Sequence, residues 1–365
     1  MVMAQLTGCV GLGFLARQSR YSSSQLSLYF STLSILSHDP PAPTVGHCDL
    51  TRDGASEREW KHPLERCILH PPRPGSFGTT TVDLKIVDIV RAGDQHSSQL
   101  VTVQVVNVDP PKSSLPPSNI LLMAKIYDPL YFDHDQDDAD PFLCVDRAYC
   151  HEAAAYKALS ELQGTIIPRY YGSYSFDLPA GDATTRSVRL ILIEVVPGSH
   201  MLQLDPVDFS QSERQVIMKA IVDAESLLYT HNVLHGDVHP RNILILDTGR
   251  EISARKVVLV DLGRARIGRS SRLDNPEYEK KYLPGVPISP LLRWNKAWFK
   301  LREYECFEPW IDWDWQSWLE QNYGTIDALD ASMAYMKSIW LPSFLFRPLP
   351  PEPRVGDVSG KRLRY

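Results

Sequence analysis

The feature that most constrains this chain is a change in the period of its apolar residues near residue 196. Residues 80–91 and 100–108 are rich in Val, Ile and Thr and in places alternate, and a polar link over 92–98 joins them as a hairpin. A Pro/Ser loop (109–119) leads to a third strand over 120–127, and two more strands follow around 170–176 and 188–195. One helix, over about 146–162, interrupts them. After Pro197-Gly198 the pattern turns helical: Ser210 and Glu213 make a capping box. Val216, Ile217, Ala220, Ile221, Ala224, Leu227 and Leu228 then recur at helical spacing. Strands first and helices afterwards is an α+β order.

Composition narrows the partners. A net charge of −6 argues against nucleic acid, because holding phosphates along a strand needs a basic surface. The six cysteines (Cys9, Cys48, Cys67, Cys144, Cys150, Cys306) contain no C-x-x-C pair, which argues against zinc or a disulfide framework and fits a reducing compartment. No run approaches the roughly 18–20 uncharged apolar residues that span a membrane. Residues 1–38 are serine-rich, carry Arg17 and Arg20, and hold no acid. That is the composition of a transit peptide, yet two arginines are few and the apolar stretch 10–16 has no basic residues before it. The expectation is a poorly ordered extension over 1–75, punctuated by prolines at 40, 41, 43, 71, 72 and 74. Folded parts are expected over 76–196 and 197–345, with a tail over 346–365. The acidic run 133–140 has the one-three-five spacing of a calcium loop, but Asp138 stands where that loop needs Gly and Cys144 where it needs Glu. It reads as a solvated insertion.

The chemistry concentrates in His235-Gly236-Asp237-Val238-His239-Pro240-Arg241-Asn242, between the long amphipathic helix and the apolar run 243–246. This string resembles the catalytic loop, H-x-D-x-x-x-x-N, of protein kinases and of aminoglycoside and choline phosphotransferases. Nineteen residues after Asn242, the apolar strand 257–260 ends in Asp261-Leu262-Gly263, which resembles the D-F-G metal-binding signature of kinases. Upstream, Lys125 sits in an apolar strand, where an unpaired cation is costly. Glu152 shares its helical face with Tyr156 and Leu159 and is a better partner than Glu161, which aligns with Lys157. The stretch 190–198 resembles the fifth strand and hinge of kinases. The whole chain is similar to kinase-like proteins of fungi.

The resemblance implies a two-lobed protein-kinase-like fold of the α+β class, with a small antiparallel-sheet lobe plus one helix and a larger, mainly helical lobe. It implies ATP and Mg2+ as cofactors. In that reading Asp237 orients or deprotonates an acceptor hydroxyl, with His235 and His239 beside it in the catalytic loop and His239 donating to phosphate. Asn242 and Asp261 hold magnesium, and Lys125, fixed by Glu152, draws on the nucleotide phosphates. The Glu194 carbonyl and Val196 amide read the adenine edge behind Ile193. Asp314 or Asp312 braces the loop, and the segment 284–293 faces the acceptor. Gly93 is the one glycine where the family's phosphate loop carries three. Gly236 replaces the arginine that, in many kinases, pairs with an activating phosphate, with Arg264, Arg266 and Arg269 nearby as substitutes. The tryptophans between 294 and 340 read as core packing. The partner is ATP with a protein or small-molecule hydroxyl acceptor, with no nucleic acid and no membrane, in the cytoplasm or nucleus. Three functions fit: a protein kinase, a small-molecule phosphotransferase, or a pseudokinase scaffold.

Overall fold

The computed structural model describes residues 32–44, 48–93, 96–111, 115–116, 119–135, 138–180, 184–246, 256–271, 282–296 and 305–324. Strand β1 (Thr32–Asp39) and helices α1 (Arg52–Trp60) and α2 (Pro63–Leu69) precede the hairpin of β2 (Ser76–Arg91) and β3 (Gln99–Asp109). Next come β4 (Leu121–Tyr127), α3 (Pro141–Ala158), β5 (Tyr170–Pro179) and β6 (Thr185–Glu194). The six strands close into an antiparallel barrel in the order β1-β2-β3-β4-β6-β5.

The expectation of a poorly ordered extension over 1–75 is corrected from residue 32 onward. Leu33 and Ile35 alternate into the barrel opposite Leu84 and Val82, while Leu36 and Ser37 pair with Ser175 and Tyr174 of β5. The strand thereby removes two open sheet edges, which would otherwise expose unpaired amides and carbonyls. Thr51 caps α1, and His62 with Glu65 makes a capping box on α2. Helix α2 turns Arg66 and Cys67 inward, where Cys67 meets Leu130, Tyr131 and Phe142.

Helix α3 starts five residues before its expected position. Asp140 accepts from the amides of Phe142 and Leu143, and Pro141 occupies the first helical position, where a missing N–H costs nothing. The N-cap is thus the last acid of the acidic run. After β7 (Ser199–His200) the chain enters α4 (Gln211–Thr230), where Ser210 and Glu213 form the expected capping box. Ile217, Ile221, Ala224 and Leu228 face inward as the periodicity predicts.

Strands β8 (Val233–Leu234), β9 (Ile243–Leu246) and β10 (Lys256–Leu259) follow; β9 pairs with β10 and β7. Then come β11 (Arg266–Ile267), β12 (Arg269–Ser270), β13 (Leu283–Pro284), α5 (Pro290–Arg293) and α6 (Trp315–Tyr323). One apolar core fills the barrel; a second joins α3 to α4, β9, β10 and the tryptophans. Trp294, Trp310 and Trp315 are buried and Trp313 and Trp318 pack against them, as expected of core residues; Trp298 and Trp340 lie outside the described residues. Asp312 pairs with Arg214 and Gln211, and Asp314 caps α6. Neither makes a described contact with the loop 235–242, so the expected brace is corrected: both carboxylates serve nearer helices. Among the described residues no helix is long and apolar enough to cross a membrane.

Candidate active site

Strand alternation sends Leu122, Ala124 and Ile126 into the barrel and turns Met123, Lys125 and Tyr127 outward, toward α3. Helix α3 answers with Glu152, which is fully buried. Lys125 Nζ donates to Glu152 Oε2 at 2.5 Å and to Asp261 Oδ1 at 2.7 Å. Tyr127 Oη donates to the same Glu152 oxygen at 2.6 Å. Strand β4, helix α3 and the end of β10 therefore meet at one ammonium group. Glu161 is 83% exposed near His231, as its alignment with Lys157 predicts.

Two carboxylates share that one cation. Burial works against the charge on each, and the outcomes differ. Glu152 stays above the ordinary carboxylate range, because burial and the neighbouring Asp261 outweigh Lys125. Asp261 is held below that range: the Lys125 ammonium and its hydrogen bond, with Arg91 and His235 farther off, overcome its burial. Burial also disfavours the Lys125 cation, but its two carboxylates prevail and raise its pKa. Asp261 adopts a left-handed backbone (φ 67°), rare for a residue with a side chain and frequent at functional turns.

The loop 235–242 is tied to this cluster by His235. Its Nδ1 accepts from the Asp237 amide at 3.3 Å, so Nε2 carries the proton and donates to the Val260 carbonyl at 3.0 Å. Burial lowers its pKa and keeps the ring neutral. His235 thus joins the loop to the strand that presents Asp261. Asn242 Nδ2 donates to the Asp237 carbonyl and to Asp237 Oδ2, both at 3.0 Å. Arg241 Nη2 donates to both carboxylate oxygens of Asp237, at 2.6 and 2.8 Å. His239 caps the turn 240–242 by accepting from the Arg241 amide, and burial lowers its pKa. A Cβ at Gly236 (φ 79°) would stand 2.3 Å from the Arg264 carbonyl, so no other residue fits this backbone unshifted.

The structure brings Lys125, Glu152 and Asp261 together, and Asp237 with Asn242. Ile193 is buried and Val196 half-buried past the end of β6. Glu194 holds the start of β5 through its amide, on the Arg169 carbonyl, and its carboxylate, on the Arg169 amide. Gly93 departs from expectation: its amide donates to Gln99 Oε1 at 2.6 Å and its carbonyl accepts from Gln99 Nε2, so this backbone is already partnered. Arg269 donates to Asn232, Tyr229 and Pro284, which corrects its reading as a substitute phosphate partner. Sequence reasoning missed Tyr127, Arg241 and Arg91. Two signals were present: Tyr127 lies two positions after Lys125 on one strand face, and Arg241 lies four after Asp237. Arg91 has none, because its charge reaches Asp261 only across the folded chain, 170 residues away in sequence.

Residues 137–274 match the family model described as the ABC1 atypical kinase-like domain, which belongs to the protein-kinase-like superfamily. The match contains Glu152, Asp237, Asn242 and Asp261, and leaves Lys125 upstream. No curated protein matches the chain.

Proposed function

We propose that this protein is an ATP- and magnesium-dependent phosphotransferase that passes the γ-phosphoryl group to a protein hydroxyl. The carrying observation is Lys125 held between Glu152 and Asp261, with His235 linking that cluster to Asp237 and Asn242. In this reading the barrel and the helical half are two lobes with the nucleotide between them.

Asn242 and Asp261 suit magnesium. They offer an amide oxygen and a carboxylate, both hard donors, and Lys125 engages only Oδ1 of Asp261 while Asn242 directs its NH2 at Asp237. Among the described residues no cluster of three or more His, Cys, Asp or Glu side chains could hold a metal. Magnesium tolerates that sparse set, since it keeps several waters and takes phosphate oxygens as ligands. Bound there, it would offset the charge on the phosphates during transfer.

The chain's own residues supply the rest. Lys125 attracts the phosphates, and Glu152 with Tyr127 fixes where its ammonium sits. Asp237 receives the acceptor hydroxyl once Arg241 yields one carboxylate oxygen, and Asn242 keeps the carboxylate in plane. The partnered Gly93 amide favours a second reading, a scaffold that binds partners without transfer. Purified protein with γ-labelled ATP, offered generic proteins and amino-alcohol metabolites in parallel, separates the readings. Label is expected on protein, with Asp237→Asn cutting transfer about 10²–10⁴-fold while nucleotide affinity holds. Label on metabolites alone would make the acceptor a small molecule, and label on neither would support the scaffold.

A further inference from the structure

Outside the phosphoryl site, one pair of thiols is placed for chemistry of its own. The segment after β1 lies antiparallel to the residues that start α3: the Asp140 amide donates to the Cys48 carbonyl at 2.7 Å, the Leu50 amide donates to the Asp138 carbonyl at 3.0 Å, and Asp49 bridges Ala139. These bonds fix Cys48 over the first turns of α3, where Cys144 projects. Cys144 Sγ lies 3.9 Å from the Cys48 carbonyl oxygen, and Arg147 Nη1 lies 3.9 Å from Cys48 Sγ. Both cysteines are half-buried, so a small oxidant reaches them.

We propose that Cys48 and Cys144 form a peroxide-sensitive thiol pair that closes to a disulfide joining the N-terminal segment to α3. The surroundings of each thiol decide the roles. The Cys144 thiol, then Arg147, pulls the Cys48 pKa down to about 6 against burial and Asp140, while Cys144 keeps its proton and titrates far higher. Cys48 is therefore the thiolate that attacks and Cys144 the thiol that resolves. The Cys48 sulfur attacks one oxygen of hydrogen peroxide, the O–O bond breaks, and hydroxide leaves to take up a proton as water. Cys144 then loses its proton and attacks the Cys48 sulfenic sulfur; the S–S bond forms and a second water departs. Two thiols and one peroxide give one disulfide and two waters, and an external dithiol reverses the process. Cys67 and Cys150 lack this arrangement: both are buried, and burial pushes each thiol up to about 12. The disulfide would tie the N-terminal segment to the helix that carries Glu152, two turns beyond Cys144.

The full chain treated with one equivalent of hydrogen peroxide tests this by intact mass and peptide mapping. The expected product has lost the mass of two hydrogen atoms, yields one linked peptide pair containing Cys48 and Cys144, and reverts with dithiothreitol. Cys48→Ser and Cys144→Ser each abolish the link, Cys306→Ser leaves it intact, and Arg147→Leu slows its formation by about tenfold near neutral pH. The wild-type map alone decides if a serine variant fails to fold. Separate alkylation of both thiols after oxidant, a link to another cysteine, or an unchanged rate in Arg147→Leu would overturn the proposal.

Discussion

Removing the Lys125 ammonium while keeping its volume, as Lys125→Met, leaves Glu152 and Asp261 facing each other without a cation. Glu152 has no exposed surface, and its second oxygen, Oε1, is already buried without a partner. Losing one member of a buried pair costs about 3–5 kcal/mol, because the remaining charge is stranded. Glu152→Gln is milder, at about 1–2 kcal/mol: Lys125 keeps Asp261, and the glutamine oxygen still accepts from Tyr127. The double variant leaves only Asp261, whose side chain is 36% exposed and can be hydrated. It should therefore lie about 1–3 kcal/mol above the additive sum. Urea unfolding of the four proteins measures this without nucleotide. The pH dependence supplies a second test. A carboxyl with a raised pKa is protonated in the native state where the unfolded chain has lost its proton. Stability therefore falls as pH rises from the ordinary carboxylate value through the raised one. Without Lys125 the Glu152 pKa rises further. Lys125→Met should thus trail the double variant most near pH 8 and approach it near pH 5. Additive losses, or a gap that does not change with pH, would refute the coupling.

Gly236→Ala should destabilise by about 1–3 kcal/mol in thermal unfolding, since the new Cβ meets the Arg264 carbonyl at a positive φ. His38 is held down to about 4 by burial and by Arg189, while its Nδ1 shares a hydrogen bond with the Tyr149 hydroxyl at 2.7 Å. The unfolded chain takes up this proton near pH 6.5 and the native state only near 4, so stability drops across that interval by at most about 3 kcal/mol. His38→Asn, which keeps an acceptor and cannot be protonated, should flatten that part of the curve. Phosphatase-treated protein should keep whatever phosphotransfer activity it has, because Gly236 has no side chain for an added phosphate and Arg269 is already engaged. A loss of about tenfold or more, restored by phosphorylation within 264–293, would contradict that.

The elements legible in the sequence are those fixed by their own residues. The hairpin, β4 and α4 announce themselves by alternation or by a capping box, and Lys125, Glu152, Asp237, Asn242 and Asp261 by spacing against those elements. Strand β1 was not legible, because only Leu33 and Ile35 alternate inward, among serines, and the rest of what holds it lies at 76–85 and 174–175. The start of α3 was hidden because its N-cap is one acid among several. The state of Gly93 depends on Gln99, six residues away across a turn, and no local pattern encodes that pairing.

These misses share a consequence for the site. An open sheet would leave α3 held on one side, by Lys125 on Glu152, and free to move on the other. Here the segment that closes the barrel continues along the far side of the helix. Its His38 takes the hydroxyl of Tyr149, its Thr44 carbonyl meets His151, and its Cys48 carbonyl takes the Asp140 amide. His151 also reaches the Ala265 carbonyl, four residues past Asp261. The helix is therefore pinned between the N-terminal segment and the chain just after Asp261. Glu152 then depends for its position on residues already in the chain. With α3 held from both sides and Gly236 offering no side chain, the expected outcome is that no added phosphate is needed to set the helix, which the phosphatase experiment checks.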